Sequence, residues 1–463
     1  MMFRKVNKVH FVGIGGIGMS GIAELLINIG FTVSGSDLHD SEIIQNLKSK
    51  GAEIFKGHRT SNMNGCEVMV YSSAVPQDNP ELIAGRDRGI PIIKRAEMLG
   101  ELIALKQTSI GVGGTHGKTS TSSMVGALLS HAELDPTLVV GGLVKNIDTN
   151  SKLGAGDLIV VEADEYDKSF LQLKPTISVI TNIELEHMDC YDDADDLHNS
   201  FAQFANSVPF YGAVVVCLDS PGVQDIIPNI KRPVITYGFS SQADIGAKNV
   251  KSNETETTYT LYQNNQKCGK VTLQVPGKHN VLNSLAAAAI GFEMGLDAKT
   301  IVIGLGTYGG VRRRFEIKGI ARDIMVVDDY AHHPTEVSAT LQAARDGWKR
   351  RIIAVFQPHL YSRTKAFYKE FAASFMDSDI LIVTDVYPAR EKPINGVNGK
   401  LLFDAAKSAG HKQAHYVPEL EDLQDVLDRI VTDNDMVITL GAGTIWRYAQ
   451  SYFDHLNSQE AAA

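Results

Sequence analysis

The run Gly114-Thr115-His116-Gly117-Lys118-Thr119 closes a glycine-rich turn, Gly111 to Thr119, lying between an apolar stretch and a helical pattern. Successive backbone N–H groups in such a turn cradle phosphate oxygens. Lys118 is placed to reach the β and γ oxygens, and the Thr119 hydroxyl to ligate Mg²⁺. The strict phosphate-loop spacing asks for glycine at position 112, where this chain has Val112; Gly111, Gly113 and Gly114 supply the backbone freedom instead. A bound triphosphate needs a metal, and the metal needs oxygen or nitrogen ligands. Residues 157–162 read as a buried strand that ends in the carboxylate of Glu162. Ligand sites in open parallel sheets form outside the C-terminal strand ends, which makes Glu162 a candidate Mg²⁺ ligand. A second apolar run, 177–181, is followed by Asn182, Glu184, Glu186 and His187. His187 is read either as a second metal ligand or as an ordinary loop histidine.

A second turn, Gly13-Ile14-Gly15-Gly16-Ile17-Gly18, matches G-x-G-x-x-G between a strand-like run from Val9 to Val12 and a helix with Ile22, Leu25, Leu26 and Ile29 on one face. Its glycines let the backbone approach a diphosphate, and the helix N-terminus adds unpaired N–H groups and a positive dipole end. Asp37, after the next strand, could accept a hydrogen bond from a ribose hydroxyl. The motif fits NAD, another diphosphate-linked nucleotide, or a tight turn without ligand.

These turns require parallel sheets behind them. Apolar runs alternate with helical patterns almost throughout the chain, the rhythm of α/β units. Three blocks open near Val9, Thr108 and Ile324. Residues 258–263 and 270–275 are β-rich and separated by Asn264, Asn265, Gln266 and a short polar stretch, so the middle block is expected to carry a small antiparallel hairpin. The acidic run 192–196 reads as a solvated helix start, where acids complement the dipole, with metal binding as the alternative. The 463 residues suit about three domains. A net charge of −10 argues against phosphate-backbone binding to nucleic acid. The four cysteines form no C-x-x-C pair, and no apolar run approaches the roughly 18 residues of a membrane span. The expectation is a soluble cytoplasmic protein.

Taken in order, GTHGKT (114–119), EADEYD (162–167), TNIELEHMD (181–189), PGKHNVLN (276–283), RRFE (313–316), DDYAHHPTE (328–336) and FQPHLYSRT (356–364) resemble the Mur ligases. The opening HFVGIGGIGMSGIAELL resembles the alanine-adding branch of that family. The resemblance implies three α/β domains: a Rossmann-like UDP-sugar domain (1–106), a P-loop-type ATP domain with a parallel sheet and a small antiparallel piece (107–312), and a Rossmann-like C-terminal domain (313–463). It implies amide formation between L-alanine and the lactyl carboxylate of UDP-N-acetylmuramate, with ATP and Mg²⁺, for peptidoglycan precursors. The partners would be those small substrates, with no nucleic acid or membrane, and the chain a monomer or weak homodimer.

Carried onto this sequence, Gly15, Gly16, Ile17 and Gly18 would meet the UDP diphosphate, with Asp37, Ser72 and Ser73 around it. Gly114, Thr115, His116, Gly117, Lys118, Thr119 and Ser120 would hold the ATP phosphates, and Thr119, Glu162 and His187 the metals. Asn280 and Asn283 resemble adenine contacts, Arg314 a residue that reaches the phosphates, and Asp329 the ribose acceptor. Tyr330, His332, His359 and Arg363 would line the amino-acid side, with His332 or His359 taking the amine proton. Two positions depart from the family pattern: Leu360, where some relatives have Arg, and Tyr166, where Ser is frequent.

Overall fold

Each apolar run becomes a strand and each periodic segment a helix, in three sheets that follow one another along the chain. The computed structural model describes residues 6–147, 149–186, 190–389 and 391–462. In the first sheet the strand order is Glu53–Lys56, Thr32–Asp37, Lys8–Val12, Val68–Tyr71, Ile92–Lys94, and every pairing is parallel. The opening strand, Lys8–Val12, is central, and the winding reverses there. The glycine turn therefore leaves its C-terminal end at the switch point of the sheet, where ligands bind. The helix that follows, Ile17–Ile29, ends on Gly30 at φ +104°, a left-handed conformation that glycine adopts without the steric cost of a Cβ. Its Ile22, Leu25 and Leu26 are buried.

The second sheet runs Gln266–Leu273, Glu256–Gln263, Ile245–Asn253, Val234–Gly238, Ala213–Cys217, Ile177–Ile180, Thr108–Gly113, Leu158–Glu162, Thr137–Val144, Thr149–Lys152. The strand Thr108–Gly113 pairs in parallel with both Ile177–Ile180 and Leu158–Glu162. The Lys118 turn, Glu162 and Asn182 consequently emerge at one edge. The expected hairpin is present. Its turn residues Asn264 and Asn265 take φ +47° and +62°, the left-handed pair that suits a two-residue hairpin turn. Two strands were not legible beforehand, the interior Ile245–Asn253 and the edge strand Thr149–Lys152, because both are largely polar sequences. The acidic run is a helix start: Asp193 caps Ala194–Asn206 by accepting from Asp196 N, and Asp196 pairs with Lys168 Nζ at 2.7 Å.

The third sheet runs Glu316–Ala321, Ile324–Asp329, Asp435–Leu440, Arg351–Phe356, Ile380–Val383, Ala414–Tyr416. Its first strand precedes the expected opening at Ile324 and is antiparallel to its neighbour. Contacts divide the chain into two units. One holds Met1–Lys248, Tyr259–Val271 and Leu282–Gly309; the other holds Asn249–Thr258, Thr272–Val281 and Gly310–Ala463.

One polar group in the first sheet's core supports the glycine turn. Glu81 is fully buried and accepts from Ser36 Oγ (2.5 Å), Asn62 Nδ2 (2.6 Å) and Arg59 N (3.1 Å), with His10 Nε2 at 3.6 Å. Ser36 O in turn receives Gly13 N and Ile14 N at 2.9 and 3.1 Å. Burial alone would raise the Glu81 carboxyl; the facing His10 ring and the Ser36 and Asn62 donors outweigh it and hold the group at about 2. Its contribution to stability is therefore complete above about 4.5 and lost as pH falls toward about 2. Glu81→Gln is expected to cost about 1–3 kcal/mol at neutral pH, because buried donors lose their acceptor. Thermal melts should show this deficit narrowing as the pH is lowered through that window; a deficit unchanged from pH 7 to 3 would contradict the ionised assignment.

Candidate active site

The strand Thr108–Gly113 delivers the chain to the phosphate turn. Gly114 sits at φ +130°, and a methyl placed on it would lie 2.0 Å from Thr181 Oγ1. Gly117 sits at φ +80°, and a methyl there would lie 2.6 Å from Asn283 Oδ1. Only glycine permits this backbone. Asn182 secures the turn from the neighbouring strand end: Thr115 N donates to its carbonyl at 3.0 Å and His116 N to its Oδ1 at 2.8 Å. His116 Nε2 lies 3.4 Å from Glu184 Oε2. The helix Lys118–His131 starts at Lys118, so the turn ends on unpaired helical N–H groups. Ser120 is buried in its first turn.

Lys118 Nζ donates to Gly114 O (2.6 Å), Thr115 O (2.9 Å) and Glu165 Oε2 (2.7 Å). Burial would lower this ammonium, but the carboxylates of Glu165, Asp164 and Glu162 outweigh it and raise it well above the ordinary lysine value. Lys118 is therefore a permanent cation. Burial pushes Glu165 up, and the Lys118 charge opposes that rise. Thr119 Oγ1 donates to Glu162 Oε2 at 2.8 Å, and Gly141 N donates to the same oxygen at 2.7 Å. Adjacent ligands of an octahedral Mg²⁺ with bonds of 2.0–2.1 Å stand about 2.9 Å apart, so this hydroxyl and carboxylate fit one ion's shell. His187 lies outside the described residues. Asn280 and Asn283 lie one turn apart on the helix Lys278–Glu293. Asn283 faces the turn, with Thr121 Oγ1 at 3.2 Å, while Asn280 Nδ2 donates to Pro276 O at 2.7 Å.

At the first glycine turn, Gly15 N donates to Asp37 Oδ2 at 2.9 Å. Asp37 thus lies beside the glycines that would cradle a diphosphate. Gly16, at the N-cap, and Ile17 and Gly18 open the helix. Ser72 follows the strand Val68–Tyr71 and stands near Gly13, where an added methyl would lie 3.6 Å from Ser72 Cβ; Ser73 is next in the same turn. A residue the motif reading missed is Arg95, whose Nη1 would lie 2.9 Å from a methyl on Gly18. A cation at the first position of a helix, directly after a strand, was the available signal.

In the second unit, the ends of three neighbouring strands gather a separate cluster. Asp329 is buried and accepts from Phe315 N (2.7 Å) and Ala331 N (2.8 Å), and burial raises its carboxyl to about 6. Arg314 Nη1 lies 3.5 Å from Glu336 Oε1, and its guanidinium sits over the Tyr330 ring at 5.3 Å. His332 Nδ1 contacts Tyr330 O (3.0 Å) and Glu336 Oε2 (3.1 Å). Both partners are acceptors, so Nδ1 carries the proton and Nε2 is the basic nitrogen of the neutral ring. The His332 and His359 rings are 6.1 Å apart, and Arg363 Nη1 lies 3.3 Å from His359 Nδ1. The expected amino-acid-side residues Tyr330, His332, His359 and Arg363 therefore form one group. Leu360, beside them, holds φ +70°, a conformation that strains a side-chain-bearing residue. Tyr166 is partly exposed after Glu162. Gly441 and Gly443, packed on Gln357 at the end of the strand Asp435–Leu440, were also overlooked.

Comparison with known proteins agrees with this geometry. Three family models match in order: Mur ligase family, catalytic domain, over residues 8–107; Mur ligase middle domain over 112–291; and Mur ligase, glutamate ligase domain over 313–443. The UDP-N-acetylmuramate–L-alanine ligase of Geotalea uraniireducens is 50% identical over 98% of this chain and 99% of its own. The protein of that name from Salinibacter ruber is 49% identical over 99% and 97%. The crystal structure of UDP-N-acetylmuramate-alanine ligase MurC from Thermotoga maritima superimposes with a TM-score of 0.84 at 30% identity, covering 98% of this chain and 99% of that one. With two phosphate-type turns, a carboxylate–hydroxyl pair at a strand end and relatives matching from end to end, this chain belongs to the Mur ligase family.

Proposed function

We propose that this chain is an ATP-dependent ligase that forms the amide between L-alanine and the lactyl carboxylate of UDP-N-acetylmuramate, in the cytoplasm, for peptidoglycan precursors. The division into 1–106, 107–312 and 313–463 then separates sugar-nucleotide, ATP and amino-acid functions. The observation that carries the reading is the Lys118–Thr119 turn with Thr119 Oγ1 2.8 Å from Glu162 Oε2. Relatives at about half identity over nearly the whole chain are named for this reaction.

A carboxylate and an amine do not condense usefully in water. The carboxylate oxygen attacks the γ-phosphorus of ATP, the bond to the β-bridging oxygen breaks, and ADP leaves. The resulting acyl phosphate is attacked at carbon by the neutral alanine amine, and the tetrahedral intermediate expels phosphate. The first step brings two anions together; at about 4 Å like unit charges repel by roughly 4 kcal/mol at an effective dielectric near 20. Lys118 and the turn's N–H groups offset that repulsion. Thr119 and Glu162 would hold Mg²⁺, which supplies further charge neutralisation when bound. Asn280, Asn283 and Asp329 take the adenosine; Tyr330, His359 and Arg363 take the amino acid, with Arg363 carrying the carboxylate role that Leu360 cannot share. His332 Nε2 or His359 receives the proton lost from the amine. Phosphoryl transfer depends mostly on positioning and charge stabilisation, which this set provides.

Purified protein given ATP, Mg²⁺ and UDP-N-acetylmuramate should release phosphate and form amide with L-alanine but not with a tripeptide; amide formation only with the tripeptide would move the chain to the peptide-adding branch. Lys118→Ala should lower turnover at least 10³-fold, and a rate within tenfold of the parent would refute the ATP assignment. Glu162→Ala should shift the Mg²⁺ activation midpoint upward by at least tenfold, whereas an unchanged metal titration would reject Glu162 as a ligand.

A further inference from the structure

The strand Ile92–Lys94 runs directly into the helix Arg95–Ile103, and both residues at the joint reach the segment that follows Glu162. Arg95 Nη2 lies 3.1 Å from Asp164 Oδ2, and Lys94 Nζ lies 3.1 Å from Asp167 Oδ2. The other arm of the Arg95 fork faces the sugar-nucleotide turn: Nη1, Cδ and Cζ would lie 2.9, 3.3 and 3.5 Å from a methyl on Gly18. One guanidinium thus touches the diphosphate cradle with one nitrogen and the ATP-side segment with another.

Asp164 is held firmly. Its carbonyl receives Phe170 N and Ser169 Oγ, each at 2.9 Å, and Phe170 is fully buried against Phe201 and Phe204 at ring distances of 5.0 and 5.1 Å. Asp164 stands two residues beyond Glu162, and its charge is among those that raise Lys118. A planar guanidinium fixed at one nitrogen has its other donors aimed as well. An anion bound at Nη1 therefore orients Nη2 for Asp164, and the reverse holds.

We infer that Arg95 is a diphosphate-binding residue that couples the two nucleotide sites: it binds the UDP diphosphate of the sugar nucleotide beside Gly18 while gripping Asp164, so that occupancy of the first turn pre-orders the strand end that serves ATP. The inference rests on the functional reading above and adds to it a residue and a linkage. Coupling of this kind is reciprocal, and typically amounts to 5–150-fold in affinity. Uridine, which lacks the diphosphate, gains nothing from Arg95.

Calorimetry on the full chain tests it. UDP-N-acetylmuramate and UDP should bind Arg95→Ala at least tenfold more weakly than the parent, Arg95→Lys should fall between, and Asp164→Asn, which keeps the guanidinium but loses its grip, should lose less than Arg95→Ala. Binding of ADP with Mg²⁺ should tighten at least fivefold when UDP-N-acetylmuramate is present in the parent, and by less than twofold in both Arg95→Ala and Asp164→Asn. Melting curves and Arg95→Lys separate this from a folding defect. Sugar-nucleotide binding by Arg95→Ala within threefold of the parent, or coupling retained by Asp164→Asn, overturns the inference alone. A parent chain that does not bind UDP-N-acetylmuramate overturns the functional reading and this inference with it.

Discussion

Phosphorylating a carboxylate means holding two anions within bonding reach, and the first unit is arranged around that repulsion. In the proposed reaction its main counterweight is a buried ammonium. Placing Lys118 in the interior removes it from water, at a cost that only anionic partners and carbonyls can offset. Glu165 Oε2 at 2.7 Å and the carbonyls of Gly114 and Thr115 provide them.

That placement depends on the parallel order of three adjacent strands. Thr108–Gly113 carries the turn, Leu158–Glu162 presents the carboxylate, and Ile177–Ile180 leads to Asn182, which fastens Thr115 and His116. A slip of one residue in either pairing would turn Glu162 or Thr181 to the opposite face of the sheet. Gly114 then has to pass so close to Thr181 that no side chain fits. The sugar-nucleotide turn is supported in a parallel way: Glu81 fixes Ser36, and Ser36 O receives the N–H groups of Gly13 and Ile14. Each turn thus has a buried carboxylate among its supports, Glu165 at Lys118 and Glu81 at Ser36.

Contiguous chemistry was legible in the sequence, and chemistry assembled across distance was not. The Lys118 turn, the strand ending in Glu162 and the glycine turn after Val12 are each written in adjacent residues and appear as read; the hairpin is present too, but its second strand starts at Gln266 and not at 270, because the left-handed pair Asn264 and Asn265 closes the turn in two residues. The grouping of Tyr330, His332, His359 and Arg363 came from family resemblance, because separations of this kind carry no local pattern. Arg95 and Asp164 are 69 positions apart, and neither residue type signals the other. Glu81 carries no signal in the sequence, since a buried carboxylate is recognisable only through its donors. The edge strand Thr149–Lys152 was missed because an edge needs no apolar run, and the interior strand Ile245–Asn253 because its sequence is largely polar. The glycine turn alone left NAD open; family membership places it among the sugar-nucleotide enzymes' folds, and the nearby Arg95 suits a diphosphate.

The account turns on a phosphoryl group passing from ATP to the sugar-borne acid. Supplying UDP-N-acetylmuramate with ¹⁸O in its lactyl carboxylate, together with unlabelled ATP and L-alanine, and weighing the released phosphate by mass spectrometry addresses that step directly. One ¹⁸O atom per phosphate is the predicted result, because the attacking oxygen leaves with phosphorus when the amide forms. Amide product accompanied by phosphate free of the label would contradict the account.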